Sequence, residues 1–263
     1  MKTLWLPEVD STNTFLKGRL EAVGERVMVL ARRQTAGRGQ RGNSWEAEPG
    51  RNITASFWFR PEGVKAAGQF AISEAVALAI VGALADYGIA AKVKWPNDIY
   101  VGDRKICGIL IENSIMGNGI SHSIVGFGLN VNQQLFLSDA PNPVSMAMLT
   151  GREYPLQEIA EALGRHFEEY LGKEERDSGD NIGKIGDRER LHEEYIASLW
   201  RGDGRVYPFR TAAGRELFRA RIAGIEPSGH LLLEEEKEGL PTLPAEEKGS
   251  LRRFAFKEVE FLF

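Results

Sequence analysis

Between residues 34 and 45 the chain reads Gln34-Thr35-Ala36-Gly37-Arg38-Gly39-Gln40-Arg41-Gly42 and closes on Trp45. Glycines at 37, 39 and 42 allow positive φ and close backbone approach. Arg38 and Arg41 supply rigid cationic forks that match phosphate or carboxylate oxygens. The chemistry on offer is the cradling of an anion; a solvated surface turn is the other reading of the same residues. The glycine spacing also matches G-x-G-x-x-G, but a dinucleotide site needs a helix to open at once. Here a polar stretch with Pro49-Gly50 follows instead. No Gly-Lys-Ser/Thr follows either, which excludes a Walker A loop.

Three further constellations carry reactive or ligand-like groups. Lys94-Trp95-Pro96-Asn97-Asp98 runs into Ile99-Tyr100-Val101, the turn Gly102-Asp103, and Arg104-Lys105-Ile106-Cys107-Gly108. A two-residue turn between strand-like runs predicts a tight hairpin. In that register Tyr100 faces Lys105 and Asp98 faces Cys107. Those four then share one face, with Ile99, Val101 and Ile106 on the other. An exposed Lys–Asp pair is worth only about 0.2–1 kcal/mol. Cys107 beside a lysine reads either as an activated nucleophile or as a small buried apolar residue. Gly126-Phe127-Gly128-Leu129-Asn130 alternates glycine along a strand, which marks a bulge or the close approach of a ligand. Ser11-Thr12-Asn13 suits a helix N-cap, and can also leave hydroxyls free for a ligand.

The elements that must position these groups follow from periodicity and breakers. Strands are predicted at 4–9, 26–33, 52–59, 92–95, 98–101, 105–113 and 121–131. Helices are predicted at 14–20, 68–87, 155–171 and 188–200, with a polar surface loop over 172–187. From residue 204 short β-like pieces at 206–210, 216–225, 230–235 and 252–260 alternate with Gly/Pro turns, the pattern of a small barrel or sandwich. The acidic run 234–238 reads as a solvated turn. The division falls at 1–202 and 203–263. The 263 residues are 43% hydrophobic with a formal net charge of -4, so no global basic field points to nucleic acid. One cysteine excludes an internal disulfide and any multi-cysteine metal site. The four histidines, at 122, 166, 192 and 230, lack metal-ligand spacing. The N-terminus lacks the apolar core of a signal peptide. The longest apolar stretch, 75–85, falls short of the roughly 20 residues of a membrane span.

Taken together and in order, the four constellations resemble the biotin protein ligases, or biotin–[acetyl-CoA carboxylase] ligases. The resemblance rests on Gly37-Arg38-Gly39-x-Arg41-Gly42 with Trp45, the segment 94–98, Arg104-Lys105 leading to Gly108, the Ser11-Thr12-Asn13 opening and the strand 126–130. It implies an α+β fold: a mixed β-sheet catalytic domain packed with helices, class II synthetase-like, followed by a small SH3-like β-barrel. Because Ser-Thr-Asn begins at residue 11, the resemblance is to the short form without an N-terminal DNA-binding domain.

The implied reaction joins biotin and ATP into biotinyl-5′-AMP with release of pyrophosphate. The acyl group then passes to one lysine of a biotin carboxyl carrier domain of a biotin-dependent carboxylase. By resemblance Lys105, Arg38 and Asp98 are catalytic. Biotin would be held by Ser11, Thr12, Asn13, Gln34, Gly37, Arg38, Gly39, Gln40, Lys105, Gly108 and Gly128. The nucleotide would meet Arg41, Trp45, Lys94, Asn97 and Asn130. Mg²⁺ would arrive bridging the phosphates, with no resident metal and Asp98 at most an indirect ligand. The resemblance further implies a cytoplasmic enzyme with neither DNA nor membrane as partner, and leaves a homodimer open. One departure stands out: many bacterial members carry arginine where this chain has Gln40, which implies a leakier acyl-adenylate. Two alternatives stand beside this reading. One is a lipoate- or octanoate-handling ligase or transferase of the same fold, using Cys107 with Lys105. The other is a non-catalytic biotin sensor.

Overall fold

The protein is described by a computed structural model over residues 1–138, 142–172, 185, 187–236 and 249–263. Seven strands form one sheet: β1 (Lys2–Leu6), β2 (Val27–Ala31), β3 (Ile53–Phe59), β4 (Lys92–Lys94), β5 (Asp98–Val101), β6 (Arg104–Met116) and β7 (Gly119–Leu129). Their order is β1-β2-β3-β7-β6-β5-β4. β1 pairs parallel with β2 and every other pairing in the sheet is antiparallel, so the sheet is mixed. β3, with sequence ITASFWF, is buried along its whole length. Apolar residues at successive positions are what a central strand covered on both faces requires.

Helix α1 (Thr12–Lys17), followed by the single turn α2 (Leu20–Val23), covers one face. Leu16 there packs with Val29, Trp58 and Ile124. The other face carries α3 (Phe70–Ala85) and α5 (Leu156–Tyr170). Phe167 of α5 reaches Phe57 of β3 with ring centroids 4.8 Å apart and Phe127 of β7 at 5.3 Å. Each such fully buried ring contributes roughly 1.5–3 kcal/mol. α4 (Met146–Thr150) and α6 (Arg188–Ala197) complete the helices of the described residues. α3 is apolar nearly all round, the pattern of a helix enclosed by protein. Together with the turn before it, Ala66–Ala85 is long and apolar enough to cross a membrane, with a mean hydropathy of 1.7, but 67% of its window is buried inside the fold. The shorter run read from sequence stopped at Ser73 and Glu74, which the continuous helix carries through.

The second sheet comprises β8 (Tyr207–Thr211), β9 (Leu217–Ile225), β10 (Leu231–Glu235), β11 (Leu251–Phe254) and β12 (Val259–Phe261), all antiparallel, in the order β11-β10-β9-β8-β12. The single strand expected over 252–260 is two strands. Lys257 adopts a positive φ of 69°, and Glu258 closes the turn onto Ala255 with its backbone and its carboxylate. Phe209, Leu231, Leu233 and Val259 of this sheet belong to the same apolar cluster as the first sheet. The chain between the sheets is stitched to β4, Val93 N–H donating to Ser198 and Trp200 N–H to Val93. Most of the surface loop expected over 172–187, and part of the acidic run 234–238, lie outside the described residues.

Candidate active site

The glycine loop leaves β2 and folds back on itself. Gly39 N–H donates to Asn43 and Trp45 N–H to Gly37, around a short 3-10 turn at Gln40–Gly42. No α-helix opens there, so the geometry a dinucleotide fingerprint requires is missing. The fold-back lays the Trp45 indole on the sheet. Gly108 of β6 and Gly128 of β7 are register partners, and together they make a flat floor. A Cβ at Gly128 would lie 2.2 Å from Trp45 Cε2, and one at Gly108 2.9 Å from Cζ3. Gly126, one step along the same face, admits Asn13, whose Oδ1 would lie 2.0 Å from an added Cβ. The alternating glycines are therefore a surface for close approach.

A buried polar chain lines one end of the cleft. Gln34 Oε1 accepts from Thr12 N–H at 2.8 Å and from the Thr12 hydroxyl at 3.2 Å. The Thr12 hydroxyl lies 2.6 Å from that of Ser56, which donates to Asn13 Oδ1. Asn13 Nδ2 then donates to Glu112 at 2.8 Å. Ser11 occupies the N-cap position of α1 but makes no side-chain capping bond, and it lines the cleft instead. The capping reading of its hydroxyl is thus corrected. Glu112 also receives Lys17 at 2.7 Å and Arg38 at 3.1 Å. Burial alone would raise its pKa, but the bonds from Lys17 and Asn13 and the Arg38 charge outweigh it and hold the carboxyl below its ordinary value.

The cationic end comes from the hairpin. Lys105 Nζ meets Asp98 Oδ1 at 2.7 Å and lies 5.7 Å from the Trp45 ring centroid. Tyr100 does face Lys105, but a bulge then shifts the register, so Ile99 faces Cys107 and Asp98 faces Gly108. The extra residue turns Cys107 away from Lys105 and Asp98 into the core, where it is 0% exposed. Burial raises its thiol pKa far above the ordinary range, with Lys105 offsetting little of the effect. The expected common face of Asp98, Tyr100, Lys105 and Cys107 is corrected to that extent.

The other expected residues fall in three places. Gln34, Arg38, Gly39, Gln40 and Asn97 line the cleft with those above. Lys94 is register partner to Asp98, yet it does not line the cleft, and its ammonium sits over the rings of Tyr100 (5.2 Å) and Phe261 (5.3 Å). Burial lowers its pKa, against the opposing effect of Asp98. Gly37 packs on the Trp45 backbone. Asn130 Nδ2 donates to Val144. The Arg41 side chain lies outside the described structure. Ser56, Glu112 and Ile109 were not anticipated. Glu112 was accessible in principle, because Gly108, Leu110 and Glu112 alternate on one strand face.

With the Trp45 indole on the floor, the cleft holds only about 60 Å³ of free space. A neighbouring cleft of about 400 Å³ shares Gln40, Asn97 and Ile109 with it and is walled by Gly229, His230 and Phe256 from the β9–β10 and β11–β12 turns. Gln40 Oε1, Trp45 Nε1 and Asn130 Oδ1 are buried without a hydrogen-bond partner. Trp58 Nε1 and Tyr195 OH are also without one, away from the cleft. Such groups cost about 1–3 kcal/mol each when left unmet, so the two that line the cleft, Gln40 Oε1 and Trp45 Nε1, fit a site that a polar ligand completes. No cluster of three His, Cys, Asp or Glu side chains occurs among the described residues, and Asp98 is already engaged by Lys105. This donor set does not fit a resident cation.

Residues 5–130 match the model of the biotin/lipoate A/B protein ligase family. The chain is 35% identical over 175 residues to the biotin–[acetyl-CoA-carboxylase] ligase of Paracoccus denitrificans, covering 62% of this chain and 70% of that protein. It is 35% identical over 128 residues to the bifunctional ligase/repressor BirA of Escherichia coli, covering 48% of this chain and 39% of that protein. The chain thus aligns with less than half the length of some curated relatives. The biotin protein ligase of Aquifex aeolicus, solved with biotin and ATP, superposes with a TM-score of 0.72 at 23% identity, covering 98% of this chain and 97% of that one, which establishes the shared fold. On the Paracoccus alignment and the family match, the chain belongs to the biotin/lipoate A/B protein ligase family.

Proposed function

We propose that this protein is an ATP-dependent biotin protein ligase. It activates biotin as biotinyl-5′-AMP and passes the acyl group to a lysine of a biotin carboxyl carrier domain. The observation that carries the reading is Lys105, ion-paired to Asp98 at 2.7 Å beside a glycine floor under Trp45. Arg38 joins it in lining the same cleft. In the first step a biotin carboxylate oxygen bonds to the α-phosphorus of ATP and the bond to the pyrophosphate oxygen breaks. Both reactants are anionic, so Lys105 and Arg38 are suited to screen their repulsion and to stabilise charge growing in the transition state. In the second step the neutral amine of the carrier lysine attacks the acyl carbon; AMP leaves and the amine gives up a proton.

The lining of the cleft supports further roles. Thr12, Asn13 and Gln34, with the Ser11 hydroxyl, offer donors and acceptors to the ureido ring. Gly108 and Gly128 let the acyl chain lie against backbone once Trp45 lifts from the floor. Asn97 joins the two clefts on the nucleotide side, and Trp45, Arg41, Lys94 and Asn130 are assigned to the nucleotide by the resemblance. Mg²⁺ enters on the ATP phosphates. The catalytic unit is residues 1–202, with residues 203–263 closing its flank. A cytoplasmic location accords with the substrates. The octanoyl-transferase alternative is disfavoured because the Cys107 thiol is buried and faces the core. A sensor without turnover has no need of the Lys105–Asp98 pair.

The test is incubation with ATP, labelled biotin and a carrier domain. Label on the carrier that disappears when its acceptor lysine is alanine supports the reading. Label that instead requires Cys107, or never leaves the protein, contradicts it.

A further inference from the structure

One carboxylate joins the glycine loop to a loop distant in sequence. Glu46, directly after Trp45, accepts from the backbone N–H groups of Leu137 and Ser138, each at 2.8 Å, and from Gln133 Nε2 at 3.4 Å. Among the described residues no cation pairs with it; its partners are the amides of the segment that follows β7. Burial alone would raise its pKa, but a bond from the Ser138 side chain together with these contacts outweighs it and holds the carboxyl below its ordinary value. The base of the same junction is fixed by Gln133, whose Oε1 accepts from Glu48 N–H and from Asn52. Residues 46–48 and 133–138 are thus bonded at two levels. Leu135 and Leu137 nevertheless stand 69% and 82% exposed.

We propose that Glu46 is a positioning residue that couples the Trp45-bearing glycine loop to segment 132–138, so that the two loops cover the acyl-adenylate as one unit. The role of the cover rests on the function proposed above; the mechanical coupling does not. Charge-assisted bonds to backbone N–H groups are stronger than neutral ones, so the clasp transmits displacement in either direction. When Trp45 leaves the glycine floor to admit a ligand, segment 132–138 moves with it. Removing the carboxylate would let each loop open on its own.

The test has a ligand-free arm and a ligand arm, both on the full chain. In the first, amide exchange is compared for the parent, Glu46→Ala and Glu46→Gln. The readout is the Gly39 amide, which bonds to Asn43 and not to Glu46. Exchange there should quicken about fivefold to tenfold in Glu46→Ala and less in Glu46→Gln, with α5 unchanged as a control for global stability. In the second arm the release of preformed biotinyl-AMP should be about tenfold faster in Glu46→Ala, with little change in KM for biotin. Unchanged Gly39 exchange, or an unchanged release rate, overturns the proposal. A parent that forms no adenylate at all would instead count against the proposed function, leaving the exchange arm to decide the clasp.

Discussion

The close contacts at Gly128 make a single methyl group decisive. A side chain there would occupy the place of the Trp45 indole, 2.2 Å from Cε2, and also the surface on which an acyl chain would lie. Gly128→Ala should therefore abolish adenylate formation while leaving the fold in place, as circular dichroism and single-turnover pyrophosphate release would check. Cys107 makes the opposite case. Its thiol faces the core and is held neutral by burial, so Cys107→Ala should keep full transfer activity and lose roughly 1 kcal/mol of stability. A large loss of activity would revive the cysteine mechanism. Gln40 carries a buried Oε1 with no partner. Gln40→Arg adds a cation at that spot and should slow biotinyl-AMP dissociation; an unchanged off-rate would count against it.

At the scale of elements, the hairpin of β5 and β6 shows how much of the site the sequence made legible. The turn at Gly102-Asp103 and the pairing of Tyr100 with Lys105 followed from residue types alone, and with them the shared face of Asp98 and Lys105. The bulge between them did not, because one extra residue in a ladder leaves no signature in composition, and it alone decides where Cys107 points. Glu112 escaped for a related reason: it matters through Asn13, Lys17 and Arg38, which only the fold brings to it. The motifs pointed to many of the groups that line the cleft, while the groups holding them in place come from register. The pair itself is testable at this scale. Asp98→Ala frees Lys105 from its 2.7 Å partner and should lower adenylation about 10–100-fold through lost positioning, with unfolding little affected. An adenylation rate within twofold of the parent would show that Lys105 is placed by other contacts.

Across the whole molecule, the two sheets share one apolar cluster although the strand pattern divides the chain near residue 203. Trp95 bonds to Gly229 at 3.0 Å, and Tyr100, Trp200 and Phe263 pack against one another across the boundary, Tyr100 stacking on Phe263. The strand-rich texture after residue 204 was readable from turn residues, but the continuity of the core was not, since it depends on which faces meet. Phe209, 0% exposed within the second sheet, should cost about 3–5 kcal/mol when cut to alanine. It should weaken both sheets together, with tryptophan fluorescence and far-ultraviolet dichroism following one denaturation curve. Two separate transitions would show that the sheets fold independently.

The most direct test of the account is biotin-dependent pyrophosphate release at saturating ATP by the parent and by Lys105→Ala, with nucleotide affinity measured on the same samples. If Lys105 acts where charge develops between the carboxylate and the α-phosphate, the variant loses at least about 100-fold in rate while ATP affinity changes by less than about threefold. Equal losses in rate and in ATP affinity, or pyrophosphate release by the parent that does not depend on biotin, would contradict it.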